Sequence, residues 1–514
     1  MNDIISNSLG GYYLQNIKSR YSGLFFFINN SIYKIIDEFR SKKKPKISMV
    51  DGKNSCIINS RSDVELIFDI KESYDNSEFG RNYEIIEKKD EIMIRFSKDN
   101  KFTLYVSIVG FKEYKKTSSW LKKDYGFDKE RNSPPFERWV YSAIKLKGKD
   151  IVLSVSDKES DAIKGSAYIR SNIKKNKLNR LSDFSISSYL VKTEDKWGLF
   201  AGLPWFFQMW SRDELVSLKA LMLAGKKKEA KDILLRNLGL IAKDGRLPNQ
   251  TSPLSNKTNA DSIGWLFKRI EDYGNFDQKE KKLIKTKLEF SIKNILKNYM
   301  KDCLIYNEGL ETWMDTEWGF DNRAGFRIEI QSLFLNMLKL AYKMTKKKKY
   351  KILEGRIKQK VRSKFFNGTY LIDGLEDWTK RPNVFIAAYV YPELLTKQEW
   401  KICFNSILSD IWLRWGGLAT IDKHNPLFCQ KHTGEIPQSY HRGDSWFWIN
   451  NLAAIVLYRT DKKLFKNYIN KIIKASKNMH SELSSASKLS EEGCLFQAWT
   501  DAMYLEMKKE IKNL

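Results

Sequence analysis

Two hydrophobic rhythms divide the chain. Across Ser48 to Ile70 and Tyr83 to Val109 it carries short runs rich in Ile, Val, Phe and Tyr, such as Glu91-Ile92-Met93-Ile94-Arg95-Phe96 and Phe102-Thr103-Leu104-Tyr105-Val106-Ser107-Ile108. Asp-Gly, Lys-Asp and Asp-Asn pairs separate them, a spacing that predicts an antiparallel meander or sandwich. Ile151-Val152-Leu153-Ser154-Val155 predicts one more strand.

After about residue 160 the apolar positions recur every 3.6 residues. Asp213 to Leu223 and Lys227 to Lys243 predict a helical hairpin turning at Gly225. Further helices are expected near 259–273, 278–300, 328–345, 348–363, 383–393, 397–410, 444–459, 462–478 and 495–509. No strand alternates with them, which argues against a TIM barrel or a Rossmann domain. Eleven helices in pairs, with a twelfth expected near 179–190, would close a double ring of six inner and six outer helices; an irregular bundle has the same count. The expected division is 1–160 as the β domain, 161–195 as a linker with a first helix, and 196–514 as the helical domain.

Length agrees with more than one domain, since 514 residues exceed one ordinary core. With 42% hydrophobic and 30% charged residues the chain reads as soluble and globular. No run approaches the roughly eighteen apolar residues of a membrane span. The start Met1-Asn2-Asp3-Ile4-Ile5-Ser6 lacks a secretory pattern. Five scattered cysteines (Cys56, Cys303, Cys403, Cys429, Cys494) predict reduced thiols in a cytoplasmic protein, with neither disulfide framework nor zinc site. The net charge of +28 raises the question of nucleic acid. The basic runs, however, lie far apart at predicted turns and helix ends: Lys42 to Lys44, Lys226 to Lys228, Lys346 to Lys349. Neither a nucleic-acid nor a membrane partner is expected.

Tryptophan placement changes the picture. Of 15, only Trp120 and Trp139 precede residue 197. Several of the rest stand beside acids: Trp205 and Trp210 before Asp213, Trp313 before Asp315, Trp446 and Trp448 after Asp444. A flat indole packs against the C–H face of a sugar ring while neighbouring polar groups bond its hydroxyls. Trp400 and Trp412, inside helical runs, read as core.

Five ordered segments concentrate this chemistry. They are Ala201-Gly202-Leu203-Pro204-Trp205-Phe206 with Trp210-Ser211-Arg212-Asp213; Asn259-Ala260-Asp261-Ser262; Thr312-Trp313-Met314-Asp315 with Arg323-Ala324-Gly325-Phe326-Arg327-Ile328-Glu329-Ile330; Tyr440-His441-Arg442-Gly443-Asp444-Ser445-Trp446-Phe447-Trp448; and Ser481-Glu482 with Gly493-Cys494-Leu495-Phe496-Gln497-Ala498-Trp499. Four of them open a predicted helix, so their acids would gather on one rim.

In this order the segments resemble the C-terminal domain of glycogen debranching enzymes, the amylo-α-1,6-glucosidase family, over about residues 180–507. Asn7-Ser8-Leu9-Gly10-Gly11-Tyr12 and Arg20-Tyr21-Ser22-Gly23-Leu24 resemble the start of the archaeal and bacterial single-chain members. Ser211, Ser22 and Gln331 depart from the usual family residues, and there is no room for a separate transferase domain. The resemblance implies a multidomain protein: an antiparallel β-sandwich followed by an all-α (α/α)6 barrel. It implies an inverting hydrolase that needs no cofactor and releases glucose from α-1,6 branch points of a glycogen-like α-glucan.

Such chemistry takes one carboxylic acid and one carboxylate base, roughly 6.5–9.5 Å apart to admit a water. The resemblance implies Asp261 as acid and Glu482 as base. Asp213 competes for the acid role, and Asp261 also reads as a helix N-cap. Trp265, four residues on, would desolvate Asp261. Trp205, Trp210, Arg212, Asp213, Trp265, Trp313, Asp315, Arg327, Glu329, His441, Trp446, Gln497 and Trp499 are expected to bind substrate. A glucoamylase- or trehalase-like α-glucosidase and a non-catalytic glucan-binding protein are the competing readings.

Overall fold

A computed structural model describes residues 3–99, 101–180, 184–193 and 196–511. The chain forms two compact units, Met1–Trp197 and Gly198–Leu514.

The first unit is built from two seven-stranded antiparallel sheets. One contains, in chain order, β1 (Asp3–Ser6), β2 (Tyr12–Gln15), β3 (Gly23–Ile28), β4 (Ser31–Ser41), β7 (Val64–Glu72), β11 (Glu113–Asp124) and β12 (Glu137–Lys147), arranged β1-β2-β3-β4-β7-β12-β11. The other contains β5 (Lys46–Val50), β6 (Ser55–Asn59), β8 (Arg81–Lys88), β9 (Glu91–Lys98), β10 (Phe102–Val109), β13 (Ile151–Ser156) and β14 (Leu178–Asn179), arranged β14-β5-β6-β13-β10-β9-β8. Alternate residues point inward. Leu24, Phe26, Ile36 and Phe68 of the first sheet meet Met49, Ile58, Ile94 and Leu104 of the second in one core. Besides the short helix α1 (Gly126–Glu130), this unit carries α2 (Glu159–Ser171), which lays Ile169 on the outer side of the second sheet against Val50, Ile57 and Val152.

Charges are buried in this unit. Asp69 receives Arg138 at 3.2 Å and Arg81 at 3.1 Å, with Lys34 at 3.8 Å. Burial alone would raise its carboxyl, but Arg138, Lys34 and Lys71 override burial and hold it at about 2.

The second unit is helical: α3 (Ser211–Leu223), α4 (Lys227–Gly239), α5 (Ser262–Tyr273), α6 (Gln278–Tyr299), α7 (Ile328–Thr345), α8 (Lys348–Phe365), α9 (Asn383–Val390), α10 (Lys397–Ile411), α11 (Phe447–Asp461), α12 (Lys466–Ser476) and α13 (Ala498–Glu510). The odd-numbered helices touch in a closed cycle, α3-α5-α7-α9-α11-α13 and back to α3. Their composition explains the position. All eight residues of α9 are buried, as are most of α7 and α11, so these helices are enclosed nearly all round. The even-numbered helices bury one stripe, Ile284, Leu288, Ile292 and Ile295 on α6 for instance, and turn lysines to solvent. A short pairing of Gly202 with Gln497 and Leu203 with Phe496 ties the first segment of this unit to its last.

One expected helix is absent. Of the stretch near 179–190, residues 181–183 lie outside the described residues. The described part holds the end of β14, a capped 3-10 turn at Ile186–Tyr189 and the start of a strand at Leu190. Ser185 caps the turn and Ser188 answers it, so the local serine bonds that favour turns replace helix here. Among the described residues the second unit therefore has six ring helices and five outside them. No helix of the described residues is long and apolar enough to cross a membrane.

Asp69→Ala strips the carboxylate from Arg138 and one of two from Arg81 and Lys34, and urea unfolding should report a loss of about 3–5 kcal/mol. Because the folded carboxyl lies at about 2 and the unfolded one at about 3.9, the wild-type advantage is full above that higher value. It should fade as pH falls toward the lower one.

Candidate active site

Alternation of ring and outer helices gives the six ring helices one direction, so their N-termini share one end of the ring. Trp210, Arg212 and Asp213 stand at the start of α3, Trp446 just before α11, and Gln497 and Trp499 at the start of α13. Two-residue strand pairings position these starts: Met209 and Trp210 with Ser252 and Gln250, and Ser445 and Trp446 with Ser484 and Leu483.

A pocket opens among them, lined by Ala201, Phe206, Trp210, Arg212, Asp213, Trp313, Asp315, Tyr440, Trp446, Glu482, Gln497 and Trp499. Its walls are fixed by ring-on-ring packing. The Trp313 ring meets Trp446 and Trp448 edge-on at 5.6 and 5.0 Å. Trp448 stacks on Trp499 at 4.9 Å, and His441 on Trp446 at 5.1 Å. Trp446 donates its indole N–H to the Tyr440 carbonyl at 2.7 Å, and Trp313 donates to Asn383 Oδ1 at 2.7 Å.

The carboxylates differ in surroundings. Asp213 is 5% exposed, and Gln497 Nε2 donates to its Oδ1 at 3.2 Å. Burial raises it, Arg212 opposes, and the like charges of Asp315 and Glu482 add, leaving it at about 8. Asp315 has a side chain 30% exposed, with Arg212 Nη1 at 3.2 Å and His441 Nε2 at 3.6 Å. Burial pushes Asp315 up, but His441 and Arg212 together hold it below the usual carboxylate range. Burial also drives His441 down to about 4, so it is neutral at physiological pH. Glu482 is fixed by two donors, the Tyr440 hydroxyl on Oε1 and the Cys494 N–H on Oε2 at 2.9 Å. Close behind it lies Gly493, at φ +66°, where an added Cβ would sit 2.3 Å from Glu482 Oε2.

Eight of the expected binding residues thus line the pocket together with Glu482: Trp210, Arg212, Asp213, Trp313, Asp315, Trp446, Gln497 and Trp499. Asp261 does not. It is 1% exposed, its Oδ2 accepts Arg212 Nε at 2.7 Å, and burial raises its carboxyl despite that partner. It precedes α5 without making a side-chain cap bond. Trp265 lies along α5 under Arg269 and Tyr389, at 5.1 and 6.0 Å. Trp205 is buried outside the lining. Arg327 and Glu329 belong to a buried ionic web. Arg323 Nη1 reaches Glu329 Oε1 at 2.8 Å, Arg323 Nη2 reaches Asp373 Oδ2 at 2.9 Å, and Arg327 joins Asp373 and Asp377. Asn383 donates to Asp373 at 2.7 Å and so transmits that web to Trp313. His441 backs Asp315 from behind the wall.

Ala201, Phe206 and Tyr440 line the pocket although sequence singled out only their segments. The signal for Tyr440 was its place directly before His441. Arg323 opens a segment that the sequence singled out, whereas Asp373 and Asn383 left no sequence signal, since their roles depend on partners up to 70 residues away. Among the described residues no group of three or more His, Cys, Asp or Glu is arranged to hold a metal ion.

A family model described as amylo-alpha-1,6-glucosidase matches residues 182–506. No curated protein matches the chain. Among solved structures, a bacterial glucoamylase complexed with acarbose is similar at a TM-score of 0.60 and 14% identity, over 99% of this chain and 84% of that one; the likeness shows the fold. A mannosylglycerate hydrolase from Thermus thermophilus in complex with glucose gives a TM-score of 0.48 and 10% identity, over 60% of this chain and 95% of that one.

Gly493→Ala places a methyl against Glu482 and demands a strained φ. If Glu482 takes part in the chemistry, turnover should fall about a hundredfold, as for an ångström-scale displacement of a reacting group. Circular dichroism should show the fold intact. Asp213, raised to about 8, binds its proton more tightly folded than unfolded, so its stability contribution falls as pH climbs from about 4 toward that value. Asp213→Asn should therefore raise Tm over wild type increasingly across that range, and equal Tm differences at both ends would exclude the raised carboxyl.

Proposed function

Because the chain belongs to the amylo-α-1,6-glucosidase family, we propose that it is an exo-acting glycoside hydrolase that removes α-1,6-linked glucose from branched α-glucans such as glycogen. The observation that carries this reading is the aromatic pocket at the helix starts, with Asp213, Asp315 and Glu482 on its lining. We read the six ring helices and their outer partners as an (α/α)6-type barrel, and the protein as cytoplasmic. The indoles would take the faces of a terminal glucose, and the carboxyls and Arg212 its hydroxyls.

The proposed mechanism is inversion. Glu482 acts as base on a water, its orientation fixed by the Tyr440 hydroxyl and the Cys494 N–H. For the acid, exposure favours Asp315. An exo enzyme seats the terminal sugar deepest, so the leaving oxygen lies toward solvent. Asp213 is nearly sealed while Asp315 is partly open. A sugar over Asp315 would expel water and strengthen the upward push of burial on its carboxyl, against His441 and Arg212. Asp213 would then hold its proton for a sugar hydroxyl. Asp261, paired behind the pocket, would position Arg212. A second reading makes Asp213 the acid, because its carboxyl at about 8 is protonated at neutral pH.

Asp315→Asn and Glu482→Gln should each lower turnover of isomaltose and limit dextrin by at least about 10². α-Glucosyl fluoride distinguishes the two acids, because fluoride leaves without protonation. Asp315→Asn should keep fluoride release, whereas Glu482→Gln and Asp213→Asn should lose it. Retained release in Asp213→Asn alone would reverse the assignment. Proton NMR should show β-glucose first. Faster glucose release from maltose or trehalose than from isomaltose or panose would replace the α-1,6 preference.

A further inference from the structure

Two of the tryptophans of the first unit, Trp120 and Trp139, lie at the margin of its core. Trp120 on β11 is 41% exposed and Trp139 on β12 is 46% exposed. Trp120 lies opposite Tyr141 and Lys122 opposite Trp139, so the indoles are diagonal neighbours on one face. Such diagonal positions are roughly 7–8 Å apart. Phe79, which follows Glu78 in sequence, is 87% exposed. The Glu78 carboxylate accepts the Trp139 backbone N–H at 2.7 Å.

Trp120 is held rigidly. Its ring meets Tyr83 at 5.7 Å and Tyr141 at 5.2 Å, both edge-on. The Arg81 guanidinium stands 4.9 Å from its centroid. Arg81 is itself only 2% exposed, bonding Asp69 at 3.1 Å and the Trp139 carbonyl at 2.9 Å. Even with this cation and both tyrosines against it, Trp120 keeps 41% of its surface exposed. Scattered exposed aromatics are ordinary, but a braced indole diagonal to a second indole is a prepared surface.

Charge identifies the occupant. Nucleic-acid bases also stack on aromatics, yet such sites track the backbone with unpaired cations. Here the adjacent cations are paired, Arg81 with Glu78 and a shared Asp69, and Lys122 with Glu137. The surface therefore offers ring faces and paired charges, which suit an uncharged polyhydroxyl ring and not a phosphate chain. We propose that Trp120, Trp139 and Phe79 form a second glucan-binding platform on the β unit, which holds a chain of the branched α-glucan while the pocket acts on its ends. This rests on the reading of the substrate as an α-glucan.

Affinity electrophoresis of the full chain in glycogen-containing gels tests it. Glycogen should retard the wild type. The double variant Trp120→Ala with Trp139→Ala should bind glycogen about tenfold more weakly. Phe79→Ala and Trp139→Ala alone, at exposed positions that leave the fold intact, should each weaken retardation less. Hydrolysis of panose and isomaltose should be unchanged in all of them. A wild type that glycogen does not retard, or variants retarded like it, would overturn the platform. Retardation by a polynucleotide in place of glycogen, lost in the same variants, would reassign the surface and also overturn it. A wild type that hydrolyses no α-glucan but loses glycogen retardation with these tryptophans would sink the proposed reaction and keep the platform; activity without retardation would do the reverse.

Discussion

The site depends on how one buried guanidinium is shared. Arg212 is the single basic side chain on the pocket lining, against Asp213, Asp315 and Glu482, with Asp261 bonded behind it. His441 cannot help as a cation because burial keeps it neutral. Burial would lower Arg212, but Asp261 and Asp315 outweigh that and hold it charged. One positive charge cannot balance four carboxylates in a dry site, so protons must make up part of the difference. Asp213, raised by burial and by the like charges of Asp315 and Glu482 beyond what Arg212 offsets, is where the proton rests. The ring fold imposes this crowding. Six parallel helices bring their starts to one place, and residues that open those helices must face one another there.

That constraint explains what sequence could show and what it could not. The eleven helices of the second unit were legible because apolar period and turn residues are local properties. For α9 the ring position was implicit in the same pattern, since it is apolar on nearly every side while α6 and α12 carry one stripe. The stretch near 179–190 misled because isolated apolar residues such as Ile186 and Leu190 mimic helical spacing, whereas its serines bond their own backbone. Pocket aromatics were recognisable from tryptophans beside acids at helix starts. Asp261 had the same credentials and sits outside the lining, because local sequence cannot tell a side chain that faces the pocket from one that faces Arg212. In the web behind Trp313, Arg323 stands in a segment the sequence marked, but Asp373 and Asn383 were invisible for a related reason: they join loops distant in sequence, and neither has an unusual neighbour.

The β unit solves a comparable problem differently. Asp69 is sealed with Arg138, Arg81 and Lys34 around it, an arrangement that costs desolvation and is stable only while complete. Arg81 is the member that reaches the edge of the sheets. Its guanidinium satisfies Asp69, takes the Trp139 carbonyl and backs the Trp120 ring. Core electrostatics and surface aromatics are therefore one structure, and the indole orientation is inherited from a buried ion pair.

The excess of 28 positive charges bears on substrate class through its position. On α6 the buried positions are Ile284, Leu288, Ser291, Ile292 and Ile295, so Lys279, Lys281, Lys282, Lys285 and Lys293 fall on the solvent side of a helix outside the ring. Exposed charges more than a Debye length away, about 8 Å at physiological salt, are largely screened from a site. The pocket's protonation then follows from burial and from Arg212, as the raised carboxyl of Asp213 illustrates. A phosphate-bearing ligand would enter against three acids with one arginine to meet it. A neutral sugar pays no such cost, and both of its needs, flat apolar faces and polar groups at fixed positions, are met by the indoles and carboxyls of the same lining.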